Sequence, residues 1–163
     1  MNIEMFFVKT ENSEALIKII EKRLNTQPDT VGEQPNWKLF SSYDSILIKE
    51  LRRKIAVSIS KNGWISAIES KEVIDFKLLQ QISEQLKTKV IAIQLSEITG
   101  CCGYSSCLSG KIIESYFSEE DENPMGTLKA YLKMNGIEHS LLSFREVLNF
   151  KNQNWVIVLR ASK

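Results

Sequence analysis

Asn62-Gly63 stands between two runs that read as strands: Ile55, Val57 and Ile59 alternate with small or polar residues before it, and residues 64–68 supply a return strand after it. Asn-Gly fills the two positive-φ positions of a two-residue turn with little strain, which makes it the strongest short signal for a β-hairpin. Ser109-Gly110 repeats the device between residues 102–108 and 111–117. Two-residue turns can only join antiparallel neighbours, so the middle of the chain is committed to antiparallel pairing.

Helical patterns fall between these strands. Residues 3–8 are β-branched and aromatic and run into Asn12 and Ser13, which can cap a helix carrying Leu16, Ile17, Ile19, Ile20 and Leu24 on one face. Asp75 caps a second helix, with Phe76, Leu79, Ile82 and Leu86 facing a sheet and Lys77, Gln81, Glu84 and Gln85 facing water. Residues 90–95 form a nearly continuous apolar run, as in a central strand. Asn123-Pro124 opens a third helix with Leu128, Tyr131 and Leu132 on its apolar face, and Gly136 is placed to end it. A short strand at 46–48, a short helix from Ser143 through Phe150 opened by a Ser143–Glu146 capping box, and a last strand at 155–159 complete the pattern.

Periodicity fails from residue 25 to 45, where Pro28, Gly32 and Pro35 interrupt a polar stretch. This reads as a long loop pinned by Trp37, Leu39 and Phe40. The expected fold is α+β: a two-layer, largely antiparallel β-sheet with helices packed mainly on one face, in a single domain over residues 1–163. The other sheet face is expected to be open or covered by the 25–45 loop.

Composition narrows the function classes. Lys plus Arg number 21 against 20 Asp plus Glu, so no overall field draws in nucleic acid or anionic lipid. The basic run Lys49, Arg52, Arg53, Lys54 and the acidic run Glu119, Glu120, Asp121, Glu122 read as solvated turns. The chain has no apolar run of membrane-spanning length and no signal-peptide pattern at its start, which gives a cytoplasmic expectation. Three cysteines within seven positions, Cys101, Cys102 and Cys107, fit reduced thiols.

No catalytic set emerges. Zinc needs about four converging ligands, and His139 is the one histidine; strand alternation sends Cys102 to the opposite face from Cys101 and Cys107. Glu69 with Glu72 or Asp75 could do acid–base work, although a capping Asp in a charged loop is the stronger reading. No phosphate cradle and no nucleophile elbow occurs, and no cofactor or metal is expected. The binding candidates are Trp37, Phe40 and Tyr43 on the loop, and Cys101, Cys102 and Tyr104 at the third strand group, since loops on a rigid body carry recognition.

Gly63-Trp64-Ile65-Ser66, the helix with Gln81-Ile82-Ser83-Glu84-Gln85-Leu86, then Thr88-Lys89-Val90-Ile91-Ala92, and finally Gly103-Tyr104 with Ser109-Gly110-Lys111 follow in order. Together they resemble an uncharacterised group of small bacterial α+β proteins, over residues 63–117. The group often has acidic residues where Cys101-Cys102 stands here. The resemblance implies a fold, and an immunity-like or accessory role known for some members; it carries no catalytic residues. The expected function is a non-enzymatic cytosolic module that binds another protein. The alternatives are a thiol-dependent enzyme or hydrolase centred on the 101–107 cysteines, and a homo-oligomeric structural protein pairing through a sheet face or edge.

Overall fold

The computed structural model describes residues 2–26, 53–69, 74–96, 99–119, 121–137 and 155–160. In chain order these give β1 (Asn2–Lys9), α1 (Ser13–Thr26), β2 (Lys54–Lys61), β3 (Trp64–Glu69), α2 (Phe76–Gln85), β4 (Val90–Ser96), β5 (Cys102–Leu108), β6 (Lys111–Phe117), α3 (Pro124–Met134) and β7 (Trp155–Arg160). The expected strand at 46–48, the helix from Ser143 and the 25–45 loop lie outside the described residues.

All seven strands join one sheet in the order β6-β5-β4-β1-β3-β2-β7, and every pairing is antiparallel. The stretch from β1 to β4 is two interlocked β-α-β units. Helix α1 links β1 to β2 across β3, and α2 links β3 to β4 across β1, which is the split β-α-β, or ferredoxin-like, connectivity. The β5–β6 hairpin extends this core beyond β4, and β7 extends it beyond β2.

The α+β class and the antiparallel sheet are as the sequence implies, with α1 and α2 together on one face. Asn12 Oδ1 accepts the Ala15 N–H at 3.0 Å and starts α1. Leu16, Ile19, Ile20 and Leu24 are all buried along its inner face. Asp75 Oδ1 accepts the Leu78 N–H at 3.0 Å and starts α2, which buries Phe76, Leu78, Leu79 and Ile82. These side chains meet Phe6, Val8, Ile55, Val57, Ile65 and Val90 of the sheet, each large one contributing roughly 1.5–3 kcal/mol by leaving water.

The second sheet face, expected to be open or loop-covered, carries α3 at its β4–β5 end. Leu128, Tyr131 and Leu132 join Met5, Phe7, Ile91, Ile93 and Leu95 there. The reason is visible in β4, whose seven residues are all buried. A strand apolar on both faces requires cover on both.

The β2 alternation also breaks. The β2–β3 register shifts between Val57 and Ser60, where Ser58 Oγ lies 2.8 Å from Ser66 Oγ and accepts the Ser66 N–H at 3.0 Å. This bulge places Ser60, not Ile59, opposite Ile65. Ile59 is consequently exposed, although its spacing puts it in line with Ile55 and Val57.

Candidate functional site

Two polar groupings are built into the described fold, one on each sheet face. Under α1 and α2, Asp75 gathers two guanidinium groups. Arg23 from α1 donates through Nε to Asp75 Oδ2 at 2.8 Å and through Nη2 to Oδ1 at 3.0 Å. Arg53, just ahead of β2, donates through Nη1 to Asp75 Oδ2 at 2.9 Å and through Nε to Glu69 Oε2 at 2.8 Å. Gln94 Nε2 donates to Glu4 Oε1 at 3.0 Å beside them. Arg53 was expected in a solvated turn and is instead buried, at 2 % exposure. A buried charge needs a partner of opposite sign, and Glu69 and Asp75 provide two.

Glu69 and Asp75 thus meet as the sequence suggests, but through Arg53. Burial alone would raise the Asp75 carboxyl. The Arg23 hydrogen bond, the Arg53 charge and the Leu78 N–H outweigh it and hold Asp75 below the usual carboxylate range. For Arg53, burial pulls the guanidinium down while Glu69 and Asp75 more than restore it, so it stays raised and charged. A carboxylate fixed in its ionised form by two guanidinium groups is poorly suited to shuttling protons near neutral pH. The cavity beside it, lined by Glu4, Phe6, Arg53, Glu69 and Asp75, measures about 10 Å³, room for about one water molecule.

The second grouping lies on the α3 face. Strand alternation points Tyr104 and Ser106 of β5 to this side, and β6 places Tyr116 opposite Tyr104 and Glu114 opposite Ser106. Tyr131 from α3 stacks on Tyr104 with ring centroids 3.6 Å apart and planes 10° apart, and Tyr116 also stacks on Tyr104, at 5.2 Å and 26°. Lys89 Nζ stands 5.7 Å from the Tyr131 centroid and donates to Asn135 Oδ1 at 2.6 Å. Tyr104 donates its hydroxyl to Glu114 Oε1 at 3.2 Å. The Tyr116 hydroxyl donates to Asp121 Oδ2, which also accepts from Thr127 Oγ1 at 2.6 Å.

Burial, the Glu114 charge and the bond to Glu114 push the Tyr104 phenol up to about 12. Tyr116 also rises to about 12, through its loss of water contact and its bond to Asp121. Asp121 is held low by Thr127 and Tyr116. Burial raises the Tyr131 phenol; its hydrogen bond to Ser106 pulls it back, while the Glu114 charge and hydrogen bond raise it further.

Of the binding candidates, Trp37, Phe40 and Tyr43 lie outside the described residues, as does His139. Cys102 and Tyr104 come together on the α3 face, whereas Cys101 sits just before β5, half-buried, with Sγ 3.7 Å from the Thr99 carbonyl oxygen. Cys102 is buried, its Sγ 3.2 Å from the Pro124 carbonyl oxygen. Cys107 faces the other way, into the α1–α2 core, as alternation requires. Burial pushes both the Cys102 and Cys107 thiols up to about 11, which leaves little thiolate at neutral pH. Among the described residues no group of His, Cys, Asp and Glu is arranged to hold a metal, and no helix is long and apolar enough to cross a membrane.

Ser106, Glu114, Tyr116, Asp121 and Tyr131 complete this site and were not singled out from sequence. The partial signal was the run from Ile112 to Leu128, which holds Glu114, Glu119, Glu120, Asp121 and Glu122 and no Lys or Arg. No family model, no curated protein and no solved structure matches the chain.

Proposed function

We propose that the chain is a cytoplasmic protein-binding module, immunity-like or accessory in role, that meets its partner with the β5–β6 edge of its sheet. The observation that carries this reading is the edge itself. Strand β6 ends the sheet; Ile113 stands 53 % exposed on it, and Leu108 stands 41 % exposed on the neighbouring β5. Large apolar side chains exposed together on adjoining strands favour a partner surface over bulk water.

The register slips between Ser106 and Cys107, so Ile113 is an extra residue in β6. A bulge and charged neighbours such as Lys111 and Glu114 discourage indiscriminate strand pairing. That favours recognition by side chains over self-association through the backbone. The raised Cys102 and Cys107 thiols weigh against the thiol-centred enzyme.

Affinity capture from the native source tests the proposal with three baits: the wild-type chain, Ile113→Asp, and Ile59→Asp as an exposed control on β2. A protein retained by the wild type and the Ile59 variant but lost by the Ile113 variant is the expected result. Equal retention on all three baits, or no retained protein, overturns it.

A further inference from the structure

We propose that the Asn62-Gly63 turn is a site of spontaneous covalent modification, at which the Asn62 amide cyclises onto the backbone and reopens as aspartate or isoaspartate, and that the fold confines this reaction to one of its Asn-Gly pairs. The inference is independent of the protein-binding reading. The Gly63 amide nitrogen, giving its proton to solvent base, attacks Asn62 Cγ. A new C–N bond closes a cyclic imide, and the side-chain nitrogen leaves as ammonia. Water then opens the imide at either carbonyl: the chain runs on through the original backbone carbonyl in aspartate, or through Cγ in isoaspartate. Solvent supplies every co-reactant.

Glycine leaves its own nitrogen unshielded because it has no Cβ, and a two-residue hairpin selects Asn-Gly for its positive φ angles. The pair that fits the turn best is therefore also the pair most open to attack. Asn62 has φ +53° and Gly63 φ +77°. Asn62 is exposed at the tip of the hairpin, and no described residue hydrogen-bonds its side chain. The Gly63 N–H takes no part in the backbone bonds of the described turns and caps. A Cβ built at Gly63 would meet only Glu11 Oε1, at 3.8 Å, so the surroundings of the amide are open. Bringing Gly63 N onto Cγ disturbs the turn alone, since Lys61 and Trp64 pair with each other immediately inward and loop tips open at little cost.

Asn135-Gly136 has the same residues in a different setting, at the end of α3. Asn135 is half-buried. Its Nδ2 donates to the Tyr131 carbonyl at 2.9 Å, and its Oδ1 accepts from Lys89 Nζ at 2.6 Å. The nucleophile is held as well, because the Gly136 N–H donates to the Lys133 carbonyl at 2.9 Å. Cyclisation there requires these bonds to break together. At Asn62 the product matters to the sheet: isoaspartate adds a backbone atom to a turn whose twist is matched to two residues, which loosens the β2–β3 hairpin from its tip.

The test incubates the full chain in mildly alkaline buffer, folded and in denaturant, and follows the peptides 62–71 and 134–145, which tryptic cleavage after Lys61, Lys71, Lys133 and Arg145 releases and which each hold one Asn and no Gln. In the folded chain the mass gain of amide-to-carboxylate exchange should appear in 62–71, and at least about tenfold more slowly in 134–145, where hydrogen bonds must break first. In denaturant the two rates should converge. Endoprotease mapping should find both aspartate and isoaspartate at position 62. Equal rates in the folded chain overturn the proposal, as does a difference that persists in denaturant, which would belong to the flanking sequence. A product made of aspartate alone overturns the cyclic step in favour of direct hydrolysis.

Discussion

Arg23 and Arg53 donate to the same carboxylate oxygen, Asp75 Oδ2, at 2.8 and 2.9 Å. One residue closes α1, the other precedes β2, and the acceptor caps α2, so a single side chain holds together three places where the backbone changes direction. Removing one member of a buried ionic group leaves its partners' charge uncompensated, which costs far more than the group contributes net.

Asp75→Asn is accordingly expected to lower stability by about 3–5 kcal/mol, read as a shift of the urea midpoint at constant slope. The pH dependence carries its own sign. The folded Asp75 carboxyl lies below its unfolded value of about 3.9, so its stabilisation is complete above that value and is lost as pH falls toward the folded pKa. Wild-type stability should fall on acidification below about pH 4, and Asp75→Asn should flatten that limb. An unchanged acid limb in the variant would assign the acid sensitivity to other carboxylates.

Helices α2 and α3 end in the same motif with different residues at its left-handed position. In α3, Gly136 has φ +73°, with the Ile137 N–H bonded to the Leu132 carbonyl at 2.9 Å. In α2, Lys87 takes φ +49°, with the Thr88 N–H bonded to the Ser83 carbonyl at 3.1 Å. A Cβ in this region costs about 1 kcal/mol. Thermal unfolding should place Lys87→Gly above wild type by about 0.5 kcal/mol and Gly136→Ala below it by about 1 kcal/mol. A Cβ at Gly136 meets nothing within 4 Å, so its effect reads the backbone alone.

The three thiols should separate by rate. Cys102 and Cys107, each raised to about 11 by burial, should resist alkylation in the folded chain, while half-buried Cys101 is modified first. Denaturant should bring all three to the same rate. Peptide mapping after brief iodoacetamide treatment at pH 8 checks this, and early modification of Cys102 or Cys107 would revive a thiol-centred activity.

Local signals were legible wherever a residue's own chemistry decides the backbone. Asn62-Gly63 and Ser109-Gly110 have positive φ at all four positions, and Asn12, Asp75 and Asn123 all cap the helices their positions imply. What hid the rest is the one-residue slip. Counting back from the second turn without a bulge pairs Tyr104 with Ser115; the extra Ile113 pairs it with Tyr116 and moves Tyr116 and Glu114 to the α3 face. The same slip in β2 exposes Ile59. Bulges depend on hydrogen bonds across strands, such as Ser58 to Ser66, and periodicity carries no trace of them. The ionic group was half legible: Asp75 as a cap follows from its position, while Arg23 and Arg53 converge on it only once α1 and β2 are set beside α2.

Tyr131 and Tyr104 stack against each other, and the hydroxyls of both meet Glu114. Tyr104 donates to Glu114 at 3.2 Å, so Tyr104→Phe loses a hydrogen bond to a charged group and should cost about 1 kcal/mol. The buried Tyr131 hydroxyl bonds Ser106 and Glu114, so Tyr131→Phe leaves the buried Ser106 hydroxyl short of a partner and should cost about 1–2 kcal/mol. The ring stack survives in both variants, which isolates the hydroxyl. Denaturant midpoints measured side by side decide the sign. If Tyr131→Phe instead proves more stable than wild type, the hydroxyl's burial outweighs its bonds to Ser106 and Glu114.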